Sequence, residues 1–166
     1  LMAMVCFDSH VIIWGIKRQA SSTQQEMIER AEALIKQCEE NKDTVVVPAL
    51  VVGEVLCNLP LENQPQLFKV LNENFMIVPY DMRAARHNAK IWQEQELLRQ
   101  ELRKADVPRQ AIKADIAILS TALAYSCETL YSGDKDLIKL AQKYIRVKGV
   151  ADVAIPPQQP PLLKDS

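Results

Sequence analysis

Short apolar runs recur along the chain, and longer stretches with helical spacing of apolar residues separate them. A continuous run of apolar or β-branched residues, bounded by polar or turn residues, is typical of a strand buried on both faces. Such runs predict strands at 4–7 (MVCF), 44–48 (TVVVP), 75–80 (FMIVPY), 129–132 (TLYS) and 147–155 (VKGVADVAI).

The stretches between these runs are predicted to be helical. Residues 24–38 show the spacing of an amphipathic helix, and 49–59 is apolar except for Glu54 and Asn58, which predicts a buried helix. Strands that alternate with helices indicate an α/β fold, in which a parallel sheet lies between helical layers. Further helices are predicted at 9–16, at 62–73, at 81–104 with Asp81 as its cap, at 113–126 and at 136–144.

Length and composition fit one soluble domain. The chain has 166 residues, 48% of them hydrophobic and 25% charged, which is ordinary for a globular protein with a buried core. We expect a single domain over 4–155 and an extended, proline-rich tail over 156–166. No apolar run approaches the ~18 residues of a membrane span, so no membrane association is expected.

Charge and cysteine content narrow the classes of function. The net charge of -1 excludes a basic field over the whole surface, so any nucleic-acid site must be local. Four cysteines without a CxxC pair and only two histidines argue against a structural zinc site. Cys6 and Cys57 lie in apolar runs, which predicts buried free thiols in a reducing, cytoplasmic environment.

Four acidic residues lie where the sheet edge is predicted. Asp8 follows the first strand directly, Asp134 follows the strand 129–132, Asp115 opens a helix, and Glu54 lies inside an apolar helix. In open parallel sheets, the ligand site lies beyond the carboxyl ends of the strands. These carboxylates are therefore expected to gather at one edge of the sheet.

Each acid also has a simpler explanation. Asp8, Asp115 and Asp134 could each cap a helix, an interaction worth about 1 kcal/mol. Asp136 is either a further acid of the last site or a first-turn acid that favours the helix dipole. Glu54 needs no cap and has no Lys or Arg within two helical turns. Its partner must therefore be a distant cation, a hydrogen-bond network or a metal ion.

A divalent metal explains the whole set most simply. Clustered carboxylates raise one another's pKa, and a hard cation such as Mg²⁺ or Mn²⁺ removes that conflict. Four carboxylates balance two divalent ions, and two such ions about 3.5–4 Å apart can activate water and stabilise a leaving oxygen. One ion or two is compatible with the sequence.

In order, the segments VCFDSHVIIW, PALVVGEVL, KADIAILSTAL and LYSGDKDL resemble the motifs of the PIN-domain nucleases, which include toxins of the VapC type. The resemblance covers about residues 4–153. It implies a three-layer α/β/α fold with a five-strand parallel sheet and metal-dependent cleavage of RNA. The metal ligands that it implies are Asp8, Glu54, Asp115 and Asp134, with Asp136 as a frequent further acid.

The resemblance also implies supporting residues and partners. Ser9 and Ser132 supply hydroxyls that orient waters or a phosphate oxygen, whereas His10 binds a phosphate or satisfies a backbone carbonyl. VapC-type toxins pair with small antitoxin proteins and often form homodimers, for which an apolar face at Ala85, Ala89 and Trp92 is a candidate. Four basic residues near the motifs are candidate contacts to the RNA backbone, or else merely solvated charges: Lys113, Lys135, Lys17 and Arg18.

Two other functions remain open on the sequence. The first is a catalytically silent module of the same fold that binds RNA or a protein partner. The second is a receiver-like domain that uses Asp8 alone for phosphoryl transfer, which leaves Glu54 without a role. Metal uptake at the acids would favour the nuclease over the silent binding module.

Overall fold

The computed structural model describes residues 2–157 and contains the predicted alternation of strands and helices. The strands are β1 Met4–Phe7, β2 Thr44–Pro48, β3 Met76–Val78, β4 Thr129–Ser132 and β5 Arg146–Gly149. The helices are α1 Ser9–Gly15, α2 Glu26–Asn41, α3 Ala49–Cys57, α4 Gln64–Asn74, α5 Met82–Glu94, α6 Glu96–Lys104, α7 Arg109–Ala124 and α8 Lys135–Ala141. Two short 3-10 helices span Leu61–Asn63 and Val150–Asp152.

All five strands pair in parallel in the order β3-β2-β1-β4-β5, which confirms the predicted sheet. β1 and β4 are central neighbours, with Phe7 opposite Tyr131. The chain builds outward from β1 through β2 and β3, and on the other side through β4 and β5. The junction of β1 and β4 is therefore the point at which the strand order reverses, where α/β sheets place their sites.

Helices cover both faces of this sheet and form the three-layer α/β/α arrangement. Successive residues of β1, Cys6 and Phe7, are both fully buried although their side chains point to opposite faces. The ring of Phe7 contacts those of Phe75 and Tyr131 edge to face, with centroids 5.9 Å apart in each pair. The carboxyl end of β1 is thereby held rigidly at the centre of the core.

Several predicted boundaries were wrong. The helix predicted over 81–104 is two helices, separated at Gln95, whose buried side chain donates to the carbonyl of Leu140 at 3.5 Å. Asp81 does cap α5, as predicted, by accepting from the Ala84 N–H at 3.0 Å. The strand predicted over 147–155 ends at Gly149, because the chain turns there into a 3-10 helix.

The prediction that 49–59 is a buried helix holds for only one side of α3. Val51, Val52 and Val55 are buried, whereas Glu54 and Cys57 are exposed. A continuous apolar run carries no periodicity, so the sequence does not show which side faces the core. Cys57 is thus not the buried thiol that was expected, while Cys6 is.

The remaining sequence-based predictions concern surfaces and the tail. Ala89 is exposed, and Trp92 is half-buried beneath the guanidinium of Arg99, so the face suggested for a homodimer is partly covered within the chain. None of the helices described here is long and apolar enough to cross a membrane. Residues 156 and 157 belong to no helix or strand, and the rest of the predicted tail, 158–166, lies outside the described residues.

Candidate active site

Asp8 stands at the carboxyl end of β1 and is 2% exposed. Its Oδ1 accepts from the backbone N–H of Val11 at 3.2 Å and so caps α1. Its Oδ2 accepts from the Ser132 hydroxyl and from the Gly133 N–H at 3.2 Å. The helix-cap interpretation of Asp8 is therefore correct, but it accounts for only one of the two carboxylate oxygens.

Ser132 joins the ends of the two central strands. It is fully buried at the end of β4; its hydroxyl donates to Asp8 and accepts from the Asp134 N–H at 2.9 Å. Asp134 in turn caps α8, because its Oδ1 accepts from the N–H groups of Asp136 at 2.8 Å and Leu137 at 3.4 Å. One hydroxyl thus positions the backbone that carries one acid while bonding directly to the other.

Gly133 is required by close packing. No glycine in the described part of the chain has positive φ, so a strained turn is not the reason for this residue. A Cβ built on Gly133 would lie 2.4 Å from Cη2 of Trp14 and 2.9 Å from Cβ of His10. The Gly133 N–H reaches Asp8 because the backbone passes directly over the buried Trp14 ring. Sequence analysis missed Trp14, although it lies in the segment that carries the first acid.

His10 faces Asp8 without forming a hydrogen bond to it. Its Nδ1 lies 3.7 Å from Asp8 Oδ2, is buried, and has no hydrogen-bond partner among the described residues. Its ring packs against Trp14 at a centroid distance of 5.2 Å. Interaction with the Asp8 carboxylate raises the pKa of His10 despite the opposing effect of burial. The alternative in which Nδ1 donates to a backbone carbonyl is not realised.

Asp115 is the acid with the most perturbed ionisation. It lies in the seventh position of α7, which begins at Arg109, so the prediction that it opens and caps a helix was wrong. α7 instead begins directly after Pro108, because proline is tolerated at the N-terminus of a helix, where its missing N–H is not needed. Burial, followed by the charges of four carboxylates, raises its pKa to about 8: Asp134, Glu54, Asp8 and Asp136.

Glu54 shares the same electrostatic field although its side chain is exposed. Partial desolvation of the carboxyl group raises the pKa of Glu54, the Ser9 hydroxyl lowers it, and Asp8 raises it again. The charge of His10 also lowers the pKa of Glu54, and that of Asp134 raises it. The groups near Glu54 that are distant in sequence are therefore the Ser9 hydroxyl, the His10 imidazole and other acids. No Lys or Arg in residues 2–157 forms an ion pair with Glu54.

The donor chemistry of this acidic cluster suits a hard divalent cation. Its members are Asp8, Glu54, Asp115, Asp134 and Asp136, and burial together with the charges of their neighbours in the cluster raises the pKa of Glu54 and of Asp115. Across residues 2–157 no Lys or Arg lies within ion-pairing distance of them. Oxygen ligands of this kind are preferred by Mg²⁺ and Mn²⁺. As the side chains stand, no three His, Cys, Asp or Glu of residues 2–157 form a closed ligand set. The acids fit such an ion by their chemistry, and their side chains would have to close around it.

The four basic residues predicted to contact RNA have different surroundings. Arg18 forms an ion pair with Glu32 at 2.8 Å, and Lys17 lines a cavity beside α4. Lys113 lies 6.0 Å from the Trp92 ring centroid and, two residues before Asp115 on α7, projects from nearly the opposite side of the helix. Lys135 is exposed at the start of α8.

Comparison with known proteins defines the family. The family model described as the PIN domain matches residues 5–143, and the chain belongs to the PIN domain family. PIN domains are generally nucleases. Comparison of the sequence with curated proteins finds no significant match.

Solved structures with a similar fold have little sequence in common with this chain. They include VapBC2 from Rickettsia felis bound to a DNA fragment from their promoter, with 14% identity and 88% of this chain and 98% of that chain covered. VapBC-1 from nontypeable Haemophilus influenzae has 14% identity, and the match covers 89% of this chain and 98% of that chain. DNA-bound VapBC from Salmonella typhimurium has 15% identity, with 90% and 99% covered. The TM-score is 0.58 in each case, which supports the fold alone.

Proposed function

We propose that this protein is an endoribonuclease that depends on Mg²⁺ or Mn²⁺. The observation that carries the proposal is the hydrogen-bonded unit that holds Asp8 and Asp134 at the ends of β1 and β4. Burial, together with the charges of these two acids and those of Glu54 and Asp136, raises the pKa of Asp115 to about 8. Such a concentration of acids without a basic partner destabilises the fold unless a cation relieves it. Membership of a family that generally consists of nucleases gives this cation a use.

The residues proposed to hold one or two ions are the acids of the cluster, with different roles for each. Asp8 is oriented in advance by Val11, Ser132 and Gly133, so its carboxylate loses little freedom on binding. Asp134 keeps Oδ2 for the ion because its cap interaction uses Oδ1. Glu54, Asp115 and Asp136 complete the set. A bound divalent ion would supply Lewis acidity and a nucleophilic water at neutral pH.

Asp115 has a second consequence for the reaction. With a pKa of about 8 it holds a proton at neutral pH when no cation is present. Cation binding must therefore displace that proton, which makes metal affinity rise with pH. Ser9 beside Glu54 and His10 beside Asp8 tune the charge at the edge of the cluster.

The test is cleavage of unstructured RNA with Mg²⁺, with Mn²⁺ and with a chelator, by the wild type and by Asp115→Asn. We expect cleavage that requires the metal and a loss of at least about 100-fold in the variant, because the ion that stabilises the transition state loses one of its ligands. Asp43→Asn is the matched control, because Asp43 precedes β2 at the opposite edge of the sheet. Full cleavage by Asp115→Asn would refute the proposal.

A module that only binds RNA or a protein is the competing function. It needs no metal, so it predicts no uptake of Mn²⁺ at the acids and no turnover. A second pair of variants tests the same point. Glu54→Gln should weaken metal-dependent cleavage, whereas Glu128→Gln should not, because Glu128 is equally exposed but directly precedes β4, away from the acids at its carboxyl end.

The biological role proposed is that of a toxin held by a small antitoxin protein. The support is the fold shared with VapBC proteins, which are toxin-antitoxin complexes. A short open reading frame that overlaps the start of the gene, and whose product suppresses both growth arrest and RNA cleavage when co-expressed, is the expected result. Growth arrest that this product does not relieve would favour a stand-alone role in RNA processing.

A further inference from the structure

A basic cavity opens between α5, α6 and the start of α7, outside the acidic cluster. Its volume is about 270 Å³, and Trp92 and Ile112 form its apolar wall. Its remaining lining is polar or cationic: Arg99, Gln100, Arg103, Lys104 and Arg109. We call these seven residues the basic-aromatic cavity.

Two cations of this cavity, Arg99 and Arg109, and the neighbouring Lys113 lie around one indole ring. The guanidinium of Arg99 lies 3.8 Å from the centroid of Trp92, that of Arg109 lies at 5.7 Å, and the Lys113 ammonium lies at 6.0 Å. Arg99 is fixed there because its Nε donates to the Trp92 carbonyl at 2.9 Å. A preformed stack of an aromatic ring and a guanidinium plane results, with further positive charge around it.

The positive charge of the cavity is not neutralised by the protein. Over residues 2–157, no carboxylate lies within 4 Å of the basic groups of Arg99, Arg103, Lys104 or Arg109. Four cations that share one cavity, with no carboxylate of residues 2–157 in its lining, suit an anionic ligand.

The cavity and the acidic cluster lie on the same helix. Arg109 begins α7 and Asp115 lies six residues later, a rise of about 9 Å along the helix axis. Six residues also turn the helix so that Arg109 and Asp115 project about 120° apart around its axis. An RNA strand whose scissile phosphate is at the acids would therefore reach the cavity by passing around α7.

We propose that the basic-aromatic cavity is a subsite for single-stranded RNA, in which the cations contact phosphates and a base packs against the Trp92 and Arg99 stack. The inference rests on the proposed ribonuclease function, which supplies the substrate. It explains how a chain without overall positive charge holds a polyanion next to a cluster of acids. An acidic peptide could use the same cations, but the stack of indole and guanidinium planes suits bases better.

The test compares two double variants that remove the same charges. Lys104→Gln with Arg109→Gln alters exposed residues of the cavity, whereas Arg86→Gln with Lys90→Gln alters exposed residues of a second basic surface around α5 and the end of α7. Binding of a fluorescent single-stranded RNA of about 12 nucleotides is followed by anisotropy with a chelator present, so that no cleavage occurs.

We expect the cavity variant to bind about 10- to 30-fold more weakly near 0.1 M salt, with a salt slope flatter by about 1.4, since each phosphate contact contributes about 0.7. The control pair should bind nearly as the wild type does. Equal losses in both pairs would indicate net charge alone and overturn the subsite. Displacement of the RNA by polyglutamate as efficiently as by unlabelled RNA would also overturn it, in favour of an acidic protein partner.

Failure of the subsite and failure of the proposed function give different results. The subsite is measured by binding without metal, and the function by cleavage with metal. A wild type that cleaves RNA, together with a cavity variant that binds and cleaves equally well, rejects the subsite only. A wild type that binds RNA through the cavity but never cleaves it rejects the nuclease only.

Discussion

The Ser132 hydroxyl donates a hydrogen bond to Oδ2 of Asp8, across the junction of β4 and β1 and over 124 residues of sequence. Both residues are buried, and the same hydroxyl accepts from the Asp134 N–H. The two acids that follow the central strands are therefore held in one hydrogen-bonded unit. That unit is made by backbone topology, since only neighbouring parallel strands bring these residues together.

Ser132→Ala should uncouple this unit. The variant removes the hydroxyl that donates to the buried Oδ2 of Asp8. This loss should lower the free energy of unfolding by about 1–3 kcal/mol. Cleavage of RNA should fall as well, because Asp8 and Asp134 lose their common support. Denaturant unfolding and initial cleavage rates measure the two effects.

The matched control is Ser120→Ala, which removes another fully buried hydroxyl. Ser120 donates only to the Ile116 carbonyl within α7, at 2.6 Å. Its variant should cleave as the wild type does. Equal activity in both serine variants would show that Ser132 does not support the site.

Gly133→Ala should destabilise the fold through steric overlap. The new Cβ would fall 2.4 Å and 2.6 Å from Cη2 and Cζ3 of Trp14, a ring that is 4% exposed and cannot move aside. We expect a loss of about 1–3 kcal/mol in denaturant unfolding, as for overpacking of a core. Gly53→Ala within α3 should instead raise stability by up to about 1 kcal/mol, since its Cβ would meet nothing within 4 Å. A harmless Gly133→Ala would contradict the close packing.

Asp8→Asn and Asp115→Asn should differ in their effects on stability. Both carboxylate oxygens of Asp8 accept hydrogen bonds, from Val11, Ser132 and Gly133. An asparagine has one acceptor oxygen only, so its NH₂ group would face at least one of these donors. The free energy of unfolding of Asp8→Asn is therefore expected to be about 1–3 kcal/mol lower than that of the wild type. The Asp115 carboxylate forms no hydrogen bond within residues 2–157, so Asp115→Asn should unfold like the wild type near pH 4. At neutral pH without metal the variant should be more stable than the wild type, because it lacks the acid whose pKa is raised to about 8. It is therefore the cleaner test of activity.

Without divalent metal, stability should fall as the pH rises from about 4 to about 8. The folded chain keeps the Asp115 proton up to a pKa of about 8, whereas the unfolded chain releases it near its ordinary value of about 3.9. The folded state thus binds more protons over this interval, and stability declines by less than about 1.4 kcal/mol per pH unit. Asp115→Asn should lack this decline, and saturating Mg²⁺ should abolish it in the wild type. The same pH dependence of the free energy of unfolding in the wild type and in Asp115→Asn, both without metal, would contradict this prediction.

Much of the fold followed from local patterns. The strands 44–48 and 129–132 have the predicted bounds, because runs of buried β-branched or apolar residues end at a proline or a glycine turn. Placing Asp8 and Asp134 at the same edge of the sheet required only that β1 and β4 be parallel. Which strands were neighbours could not be read from the runs, and the pairing of β1 with β4 is seen only in the structure.

Other features depend on tertiary packing that no local pattern contains. The exposed position of Glu54 depends on which side of an all-apolar helix faces the sheet. The role of Gly133 depends on Trp14, which is far away in sequence. The break at Gln95 depends on a buried side chain that reaches the Leu140 carbonyl. The basic-aromatic cavity likewise depends on the packing that brings Arg99 of α6 and Arg109 of α7 against Trp92 of α5.

The most direct test of the central claim, that the acids hold a catalytic divalent ion, is calorimetric titration with Mn²⁺ at neutral pH in two buffers of different ionisation enthalpy. The wild type should take up one or two ions with release of about one proton, because binding must displace the proton of Asp115. The observed heat should therefore differ between the buffers, and Asp115→Asn should bind more weakly with no such difference. Absence of Mn²⁺ uptake by the wild type, or uptake that Asp115→Asn leaves unchanged, would contradict the account.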